Sequence, residues 1–202
     1  MKYSTVLFDL DGTLTDPVQG ICGSVRYALE KAGRPIGPIE SYHKYIGPPL
    51  LRSFEVYANA TPEEAQELLG YYRERFSTVG LFENEVYPGI PELLRDLKAA
   101  GYGVWGLTNW SHETFHFAFE KFPQLAELLQ DTVVSGMEKM HKPNADIYEL
   151  AMSRFGLSPE SSVFLDDTAK NVAGARSAGM HAFRFVDTDQ ARRDLESLGV
   201  RV

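Results

Sequence analysis

Apolar positions along the chain form two kinds of pattern, short continuous runs and longer periodic stretches. Runs rich in β-branched and aromatic residues predict buried strands at 4–10, 102–107, 132–135, 162–165 and 181–185. From residue 90 onward, helical patterns separate these runs, and Gly101, Gly156 and Gly179 close three of them. The alternation predicts right-handed βαβ units, and therefore an α/β fold with a doubly wound, mostly parallel sheet.

Residues 17–85 have helical patterns and no strand signal. Helices are predicted at 17–31, 51–57 and 62–77. The third has a strong start signal, with Thr61 as N-cap, Pro62 at the first position and Glu64 at the third. We therefore expect a core formed by 1–16 and 86–202, and a small all-helical domain formed by 17–85.

Reactive polar side chains follow several of the predicted strands. They are Asp9 and Asp11, Thr108 and Asn109, Lys142, and Asp166 and Asp167. In doubly wound sheets the ligand site lies beyond the carboxyl ends of the strands, so we expect these groups to meet there. Asp9 and Asp11 are two residues apart and point to the same side of an extended segment, so their mutual repulsion raises the pKa of one carboxyl or attracts a cation.

The charge and the cysteine content of the chain limit the classes of function and the compartment that we expect. The net charge is −8 and there is no basic stripe, which argues against binding of a nucleic-acid polymer. An acidic protein that handles phosphate needs a bound cation and a few placed donors. The single cysteine, Cys22, excludes an internal disulfide and indicates a reducing compartment. With no signal-peptide pattern and no membrane-spanning run, we expect a cytoplasmic monomer or homodimer without a membrane partner.

The segment DLDGTLTD at 9–16 resembles the DxDGT signature of haloacid dehalogenase-like (HAD) phosphatases. Thr108, Lys142 and the segment 166–171 fall where the second, third and fourth motifs of that family fall. The likeness covers the core from about residue 4 to residue 186, and the helical stretch resembles the cap that the family inserts after its first strand. The resemblance implies Mg²⁺-dependent hydrolysis of a small phosphorylated metabolite.

The family pattern implies roles for three aspartates. Asp9 would attack phosphorus to give an aspartyl-phosphate, and Asp11 would act as general acid and then general base. The carboxylate of Asp9, the backbone carbonyl of Asp11 and the carboxylate of Asp167 would bind Mg²⁺. Thr108, the backbone N–H of Asn109, and Lys142 would bind the phosphate.

The fourth motif departs from the commonest family pattern, because Asp166 stands where many members have Gly and Asn171 where they have Asp. We expect Asp166 and Asn171 to contact the metal-site residues rather than the metal itself, and to orient Lys142 or a metal-bound water. Thr13 is expected to hydrogen-bond within its loop.

The helical stretch offers candidate substrate-selecting residues around its Gly-Pro-Pro corner, namely Lys44, Gly47 and Arg52. This segment resembles phosphoglycolate phosphatases and 5′-nucleotidases. The core segments LTNW and FLDD resemble sugar-phosphate phosphatases instead, so the substrate stays open.

Three other functions remain open. A sugar phosphomutase would share all the clusters, but must keep water from the phosphorylated aspartate. A 2-haloacid dehalogenase would use Asp9 on carbon, but that activity has no need of Asp11. A binding protein on the same fold would be favoured by a missing nucleophile, whereas every expected position is filled.

Overall fold

A computed structural model describes residues 2–202, and the chain divides into two compact units. Unit 1 consists of Met1–Thr15 and Val86–Val202, and unit 2 of Asp16–Glu85. The predicted boundary after residue 16 thus differs by one residue from the start of unit 2.

The strands, in chain order, are β1 (Thr5–Phe8), β2 (Thr15–Asp16), β3 (Glu85–Val86), β4 (Gly103–Thr108), β5 (Thr132–Val134), β6 (Ser162–Asp166) and β7 (His181–Arg184). The α-helices are α1 (Val18–Lys31), α2 (Leu50–Tyr57), α3 (Pro62–Phe76), α4 (Ile90–Ala99), α5 (Phe115–Lys121), α6 (Pro123–Leu128), α7 (Ser135–Glu138), α8 (Ala145–Phe155), α9 (Ala169–Ser177) and α10 (Thr188–Ser197). Short 3₁₀ helices cover Ile39–Tyr45, Gly80–Phe82 and Pro159–Ser161.

Unit 1 is built on a five-stranded sheet of order β5-β4-β1-β6-β7, in which every pair is parallel. The predicted α/β fold with a doubly wound parallel sheet is confirmed. In the register, Phe8 lies between Gly106 and Leu165, and the Asp9 N–H donates to the carbonyl of Leu165 at 2.9 Å. The carboxyl ends of β1, β4 and β6 therefore meet at one edge, where the polar residues follow.

Burial explains why these strands are apolar throughout. Every residue of β1 and β6 is buried, as expected of central parallel strands covered by helices on both faces. Leu7, Leu107 and Phe164 from three neighbouring strands pack with Tyr148 of α8 in one core cluster. A core of this kind holds the strand ends in fixed positions, which a site at the sheet edge requires.

One detail of unit 1 differs from the sequence prediction. Asp166 is the last residue of β6 rather than the first residue after it, because its backbone pairs with Arg184 of β7. The sequence also predicts helical structure at 113–129 with a break near Pro123, and the structure has α5 and α6 there, since Pro123 has no N–H to continue the hydrogen-bond ladder of α5 and begins α6 instead.

Unit 2 is helical and has its own core. Phe54 of α2 and Leu68 of α3 pack with Cys22 and Val25 of α1 in one cluster. Helix α3 begins as predicted, with a capping box between Thr61 and Glu64 and Pro62 in the first turn.

No local pattern in the sequence predicts the 3₁₀ helix Ile39–Tyr45. Glu85, expected in a stretch without strands, lies in β3, which pairs with β2 as a separate two-stranded sheet. Among residues 2–202, no helix combines the length and apolar character needed to cross a membrane.

Candidate active site

Three aspartates converge at the carboxyl edge of the unit 1 sheet. Asp9 follows β1, while Asp166 ends β6 and Asp167 follows it. Each contributes a carboxylate oxygen to a set whose members all lie within 4.8 Å of one another. Asp9 and Asp166 are buried, and Asp167 is partly exposed. Such a cluster is electrostatically unfavourable unless cations or protons balance it.

Lys142 supplies one of the balancing charges. Its ammonium lies 2.9 Å from Asp9 Oδ1 and 2.6 Å from Asp166 Oδ2, and it donates to the carbonyl of Leu107 at 2.8 Å. The side chain is fully buried. A buried ammonium is tolerated only when its hydrogen bonds are made and its charge is paired, and here both conditions are met.

Burial and neighbouring charges shift the protonation of these groups. Burial raises the pKa of the Asp9 carboxyl to about 7, opposed by the Lys142 ammonium and reinforced by the carboxylate of Asp166. Burial also raises the pKa of Asp167 to about 6, again with Asp166 adding to the effect. For Lys142, burial acts to lower the pKa, but the carboxylates of Asp9 and Asp166 outweigh it and hold that pKa above its usual value. The lysine therefore stays charged at neutral pH.

The two adjacent aspartates of the fourth motif have different surroundings. The oxygens of Asp166 accept from Lys142 Nζ, from the Asn171 side-chain amide at 3.1 Å and from the Thr168 N–H at 2.8 Å. Apart from its own backbone N–H, the carboxylate of Asp167 accepts only a long contact of 3.5 Å from the Thr168 hydroxyl, within residues 2–202. Asp166 is thus satisfied by protein donors, whereas Asp167 keeps acceptor capacity for a ligand.

These residues fit a divalent cation of the Mg²⁺ type. The donors are hard carboxylate oxygens, which such ions prefer. Three carboxylates face one ammonium, so negative charge remains in excess at the site. A hydrated cation beside Asp9 and Asp167 would remove that excess.

The turn after β1 brings its residues against Asp167. Gly12 has φ +88°, and a Cβ at this position would lie 2.6 Å from the carboxyl carbon of Asp167. Thr13 bonds within its own loop as expected, since its N–H donates to the Leu10 carbonyl at 3.0 Å. Its hydroxyl also accepts from the Asp167 N–H at 3.1 Å, which ties this loop to the loop after β6. Asp11 accepts from the Thr15 hydroxyl at 2.9 Å.

Thr108 and Asn109 end the neighbouring strand. Thr108 is the last residue of β4 and is almost fully buried, and Asn109 is exposed. The side chain of Asn109 donates to the Lys142 carbonyl at 3.0 Å and accepts from the Lys142 N–H at 2.9 Å. The sequence indicated only a phosphate-binding role for the backbone of Asn109. Its side chain positions the lysine.

Two further residues, Tyr148 and Gly174, contact the segments that carry Asn171 and Lys142. The peptide bond between Lys142 and Pro143 is cis, and a Cβ on Gly174 of α9 would lie 2.5 Å from the Pro143 carbonyl oxygen. Tyr148 of α8 donates its hydroxyl to the Asn171 carbonyl at 2.7 Å. Sequence reasoning missed Tyr148 and Gly174, since nothing in their local pattern separates them from ordinary helix-packing residues.

The three candidate substrate-selecting residues all lie in unit 2. Lys44 is exposed, with its ammonium 5.0 Å from the centre of the Tyr57 ring. Gly47 has φ +94°, and Arg52 forms an exposed ion pair with Glu55 at 2.7 Å. Their part in substrate selection stays a prediction.

Comparison with known proteins places this site in a family. A family model described as haloacid dehalogenase-like hydrolase matches residues 3–179. The chain belongs to this family. As a HAD-like hydrolase it is an enzyme, and the match spans all the residues of the aspartate and lysine cluster.

Individual relatives of this HAD-like hydrolase carry different names. It is 34% identical over 185 residues to a 5′-nucleotidase of Pseudomonas aeruginosa, covering 89% of this chain and 81% of the relative. It is 31% identical over 180 residues to the tyrosine-protein kinase PtkA of Mycobacterium tuberculosis, covering 87% of this chain and 59% of that protein. A crystal structure of a predicted phosphatase from Clostridium acetobutylicum superposes with a TM-score of 0.78 at 32% identity, covering 99% of this chain and 92% of that one.

Proposed function

We propose that this enzyme is a Mg²⁺-dependent phosphatase that hydrolyses small phosphate monoesters through an aspartyl-phosphate on Asp9. The observation that carries the proposal is the cluster of Asp9, Asp166 and Asp167 with one buried ammonium, at the carboxyl edge of the sheet. The 5′-nucleotidase and phosphatase relatives support the same reaction class.

In the first step a carboxylate oxygen of Asp9 attacks phosphorus and the bond to the leaving alkoxide breaks. Two donors orient this carboxylate, because Asp9 Oδ1 accepts from the Leu10 N–H at 2.7 Å and from Lys142. The ammonium also reduces the repulsion between an anionic nucleophile and an anionic substrate. Thr108 and the backbone N–H of Asn109 would donate to the phosphoryl oxygens.

Asp11 would carry the proton in both half-reactions. It gives a proton to the departing alkoxide and then takes one from the water that hydrolyses the acyl phosphate, which regenerates Asp9. Its hydrogen bond from Thr15 holds the carboxyl in place within the turn.

The divalent cation would be held by the carboxylates of Asp9 and Asp167 and the backbone carbonyl of Asp11. When bound, it neutralises negative charge on the phosphoryl oxygens and on the site. Asp166 is assigned to orienting Lys142, in keeping with its contact of 2.6 Å.

The substrate is assigned to the class of small phosphorylated metabolites. A sugar phosphomutase is the alternative that uses the same nucleophile, and it differs in returning the phosphoryl group to the sugar. A 2-haloacid dehalogenase is the weaker alternative, because that reaction gives Asp11 no proton to transfer.

A panel of sugar phosphates, nucleoside monophosphates and phosphoglycolate, assayed with Mg²⁺ and with EDTA, tests the proposal. We expect release of inorganic phosphate from at least one ester, loss of the activity in EDTA, and a fall of several orders of magnitude in Asp9→Asn. Conversion of a sugar phosphate to its isomer without free phosphate would identify a mutase. Release of phosphate by Asp9→Asn at the wild-type rate would reject the proposed nucleophile.

A further inference from the structure

Unit 2 contains a cavity of about 350 Å³ whose lining residues all belong to unit 2. Its walls come from the end of α1, the segment after it, the 3₁₀ helix Ile39–Tyr45 and the end of α2. The volume lies within the range of pockets that bind small molecules.

Aromatic rings form much of the wall. Tyr42, Tyr45 and Tyr57 all line the cavity, and the rings of Tyr45 and Tyr57 meet edge to face at 5.3 Å. Ile36 and Tyr57 are among the few large apolar side chains that the described residues leave exposed, at 40% and 39%. Exposed apolar and aromatic surface around a concavity is typical of a site that binds a flat apolar group.

Two tyrosine hydroxyls of the cavity wall can donate hydrogen bonds to an acceptor group of a ligand. Tyr45 is only 3% exposed, and its hydroxyl forms no hydrogen bond with any residue in the range 2–202. Burial raises the pKa of Tyr45 to about 12, so this hydroxyl keeps its proton and can donate it. The Tyr42 hydroxyl accepts from the Gly37 N–H at 2.7 Å, and its proton is available for an acceptor.

The charge of the wall is positive, in a protein whose net charge is −8. Arg34 and Lys44 line the cavity, and no Asp or Glu is among the lining residues in the described part of the chain. Arg34 is fixed by the Ala58 carbonyl at 2.7 Å and by Glu64 at 2.9 Å. Lys44 lies over the Tyr57 ring and forms no ion pair with the described residues, so its charge is uncompensated.

We propose that this cavity is a second binding site, for a small organic anion that joins a flat apolar body to a carboxylate or phosphate group. The Tyr45 and Tyr42 hydroxyls and the Lys44 ammonium take the anionic oxygens, and the tyrosine rings cover the flat body. All of these residues lie in unit 2, so the proposed site does not depend on Asp9 being the nucleophile.

The test is titration calorimetry of the full chain in EDTA, with phenylphosphonate and with benzoate as probes. At about pH 8 without a metal ion, the carboxyls of Asp9 and Asp167 are ionised, so the aspartate cluster disfavours anions and binding reports on unit 2. We expect saturable binding of at least one probe with a dissociation constant on the order of 1 mM or tighter. The tighter probe identifies the anionic group, and inorganic phosphate should bind at least about tenfold more weakly because it lacks the flat body.

Three variants separate this site from general charge attraction. Lys44→Met should weaken binding of the better probe about tenfold, and Tyr45→Phe about fivefold, for the loss of one charged and one neutral hydrogen bond. Arg26→Met removes an exposed charge of α1 outside the cavity and should leave binding unchanged. The proposal is overturned if neither probe saturates at concentrations on the order of 10 mM. Equal binding by wild type, Lys44→Met and Tyr45→Phe, or an equal loss in Arg26→Met, would also overturn it.

Discussion

The ammonium of Lys142 links the two buried carboxylates of the site. It contacts both Asp9 and Asp166, and Asn109 fixes the backbone on either side of it. Its position after a predicted strand and the family resemblance both indicate that Lys142 lies near the aspartates, although a lysine 133 positions beyond Asp9 carries no local signal of its own. Its complete burial could not be predicted, since burial depends on contacts that only the folded sheet creates.

The unequal surroundings of Asp166 and Asp167 lead to a prediction about metal affinity. Asp167→Ala should weaken Mg²⁺ binding by roughly 100-fold, because it removes the carboxylate with free acceptor capacity. Asp166→Ala should weaken it only about tenfold, as loss of a supporting residue does. Calorimetric titration with Mg²⁺ measures both. A larger loss in Asp166→Ala would show that the direct ligand is Asp166.

The raised pKa values of Asp9 and Asp167 predict that Mg²⁺ displaces protons. In the metal-free protein these carboxyls remain partly protonated up to about pH 7 and about pH 6, and the cation needs them ionised. Titration in buffers of different ionisation enthalpy should show about 1.4 protons released per ion at pH 6 and close to none at pH 8. Equal release at both values would contradict the assignment.

The raised pKa values of Asp9 and Asp167 also determine how the stability of the metal-free protein changes with pH. A carboxyl whose pKa is raised by folding leaves stability unaffected below its unfolded value of 3.8 and lowers stability as pH rises to its folded value. The metal-free protein should therefore lose stability from about pH 4 to about pH 7, and Mg²⁺ should restore it at neutral pH. Thermal unfolding with and without Mg²⁺ at a series of pH values measures this.

Among the elements, the turn after β1 matters most to the site, and its glycine has a matched control. Gly12 and Gly101 both have φ +88°, but a Cβ on Gly12 would meet Asp167 at 2.6 Å while one on Gly101 would meet nothing within 4 Å. Alanine at either position should cost about 1–2 kcal/mol of stability from backbone strain. Only Gly12→Ala should also weaken Mg²⁺ binding, by more than about tenfold.

Thermal unfolding and Mg²⁺ titration of Gly12→Ala and Gly101→Ala separate strain from crowding. If both variants bind Mg²⁺ like the wild type, the close approach of Gly12 to Asp167 has no role in the metal site. If both lose binding equally, the loss reflects strain alone.

Elements with strong local signals were predicted well, and those held by distant contacts were not. The strands of the sheet and helix α3 follow from apolar runs and from the capping box of Thr61 and Glu64. The 3₁₀ helix Ile39–Tyr45 has no such pattern, and its Tyr42 and Tyr45 are buried by packing within unit 2. The hydrogen bonds between the Asn109 side chain and the Lys142 backbone join residues that are 33 positions apart, so no local rule predicts them.

At the scale of the whole molecule, each unit has its own apolar core, which suggests that unit 1 can fold without unit 2. Joining Thr15 to Val86 by a short glycine-serine linker should leave a protein that still binds Mg²⁺, since the aspartates and Lys142 all belong to unit 1. Relative rates across the ester panel should become more nearly equal, because we assign substrate selection to unit 2. Unchanged relative rates would contradict that assignment.

The central claim is that Asp9 carries the phosphoryl group while Asp11 moves the proton, and rapid-quench kinetics of Asp11→Asn test it most directly. p-Nitrophenyl phosphate has a leaving group that needs little protonation, so this variant should still phosphorylate Asp9 with it. Hydrolysis of the intermediate should be slow, because general base catalysis is worth roughly 10²–10⁴-fold. We predict a burst of p-nitrophenol approaching one equivalent per enzyme, with the phosphoryl group recovered on the peptide that contains Asp9, and no burst in Asp9→Asn. Steady turnover by Asp11→Asn with no burst and no phosphoryl group on that peptide would contradict the account.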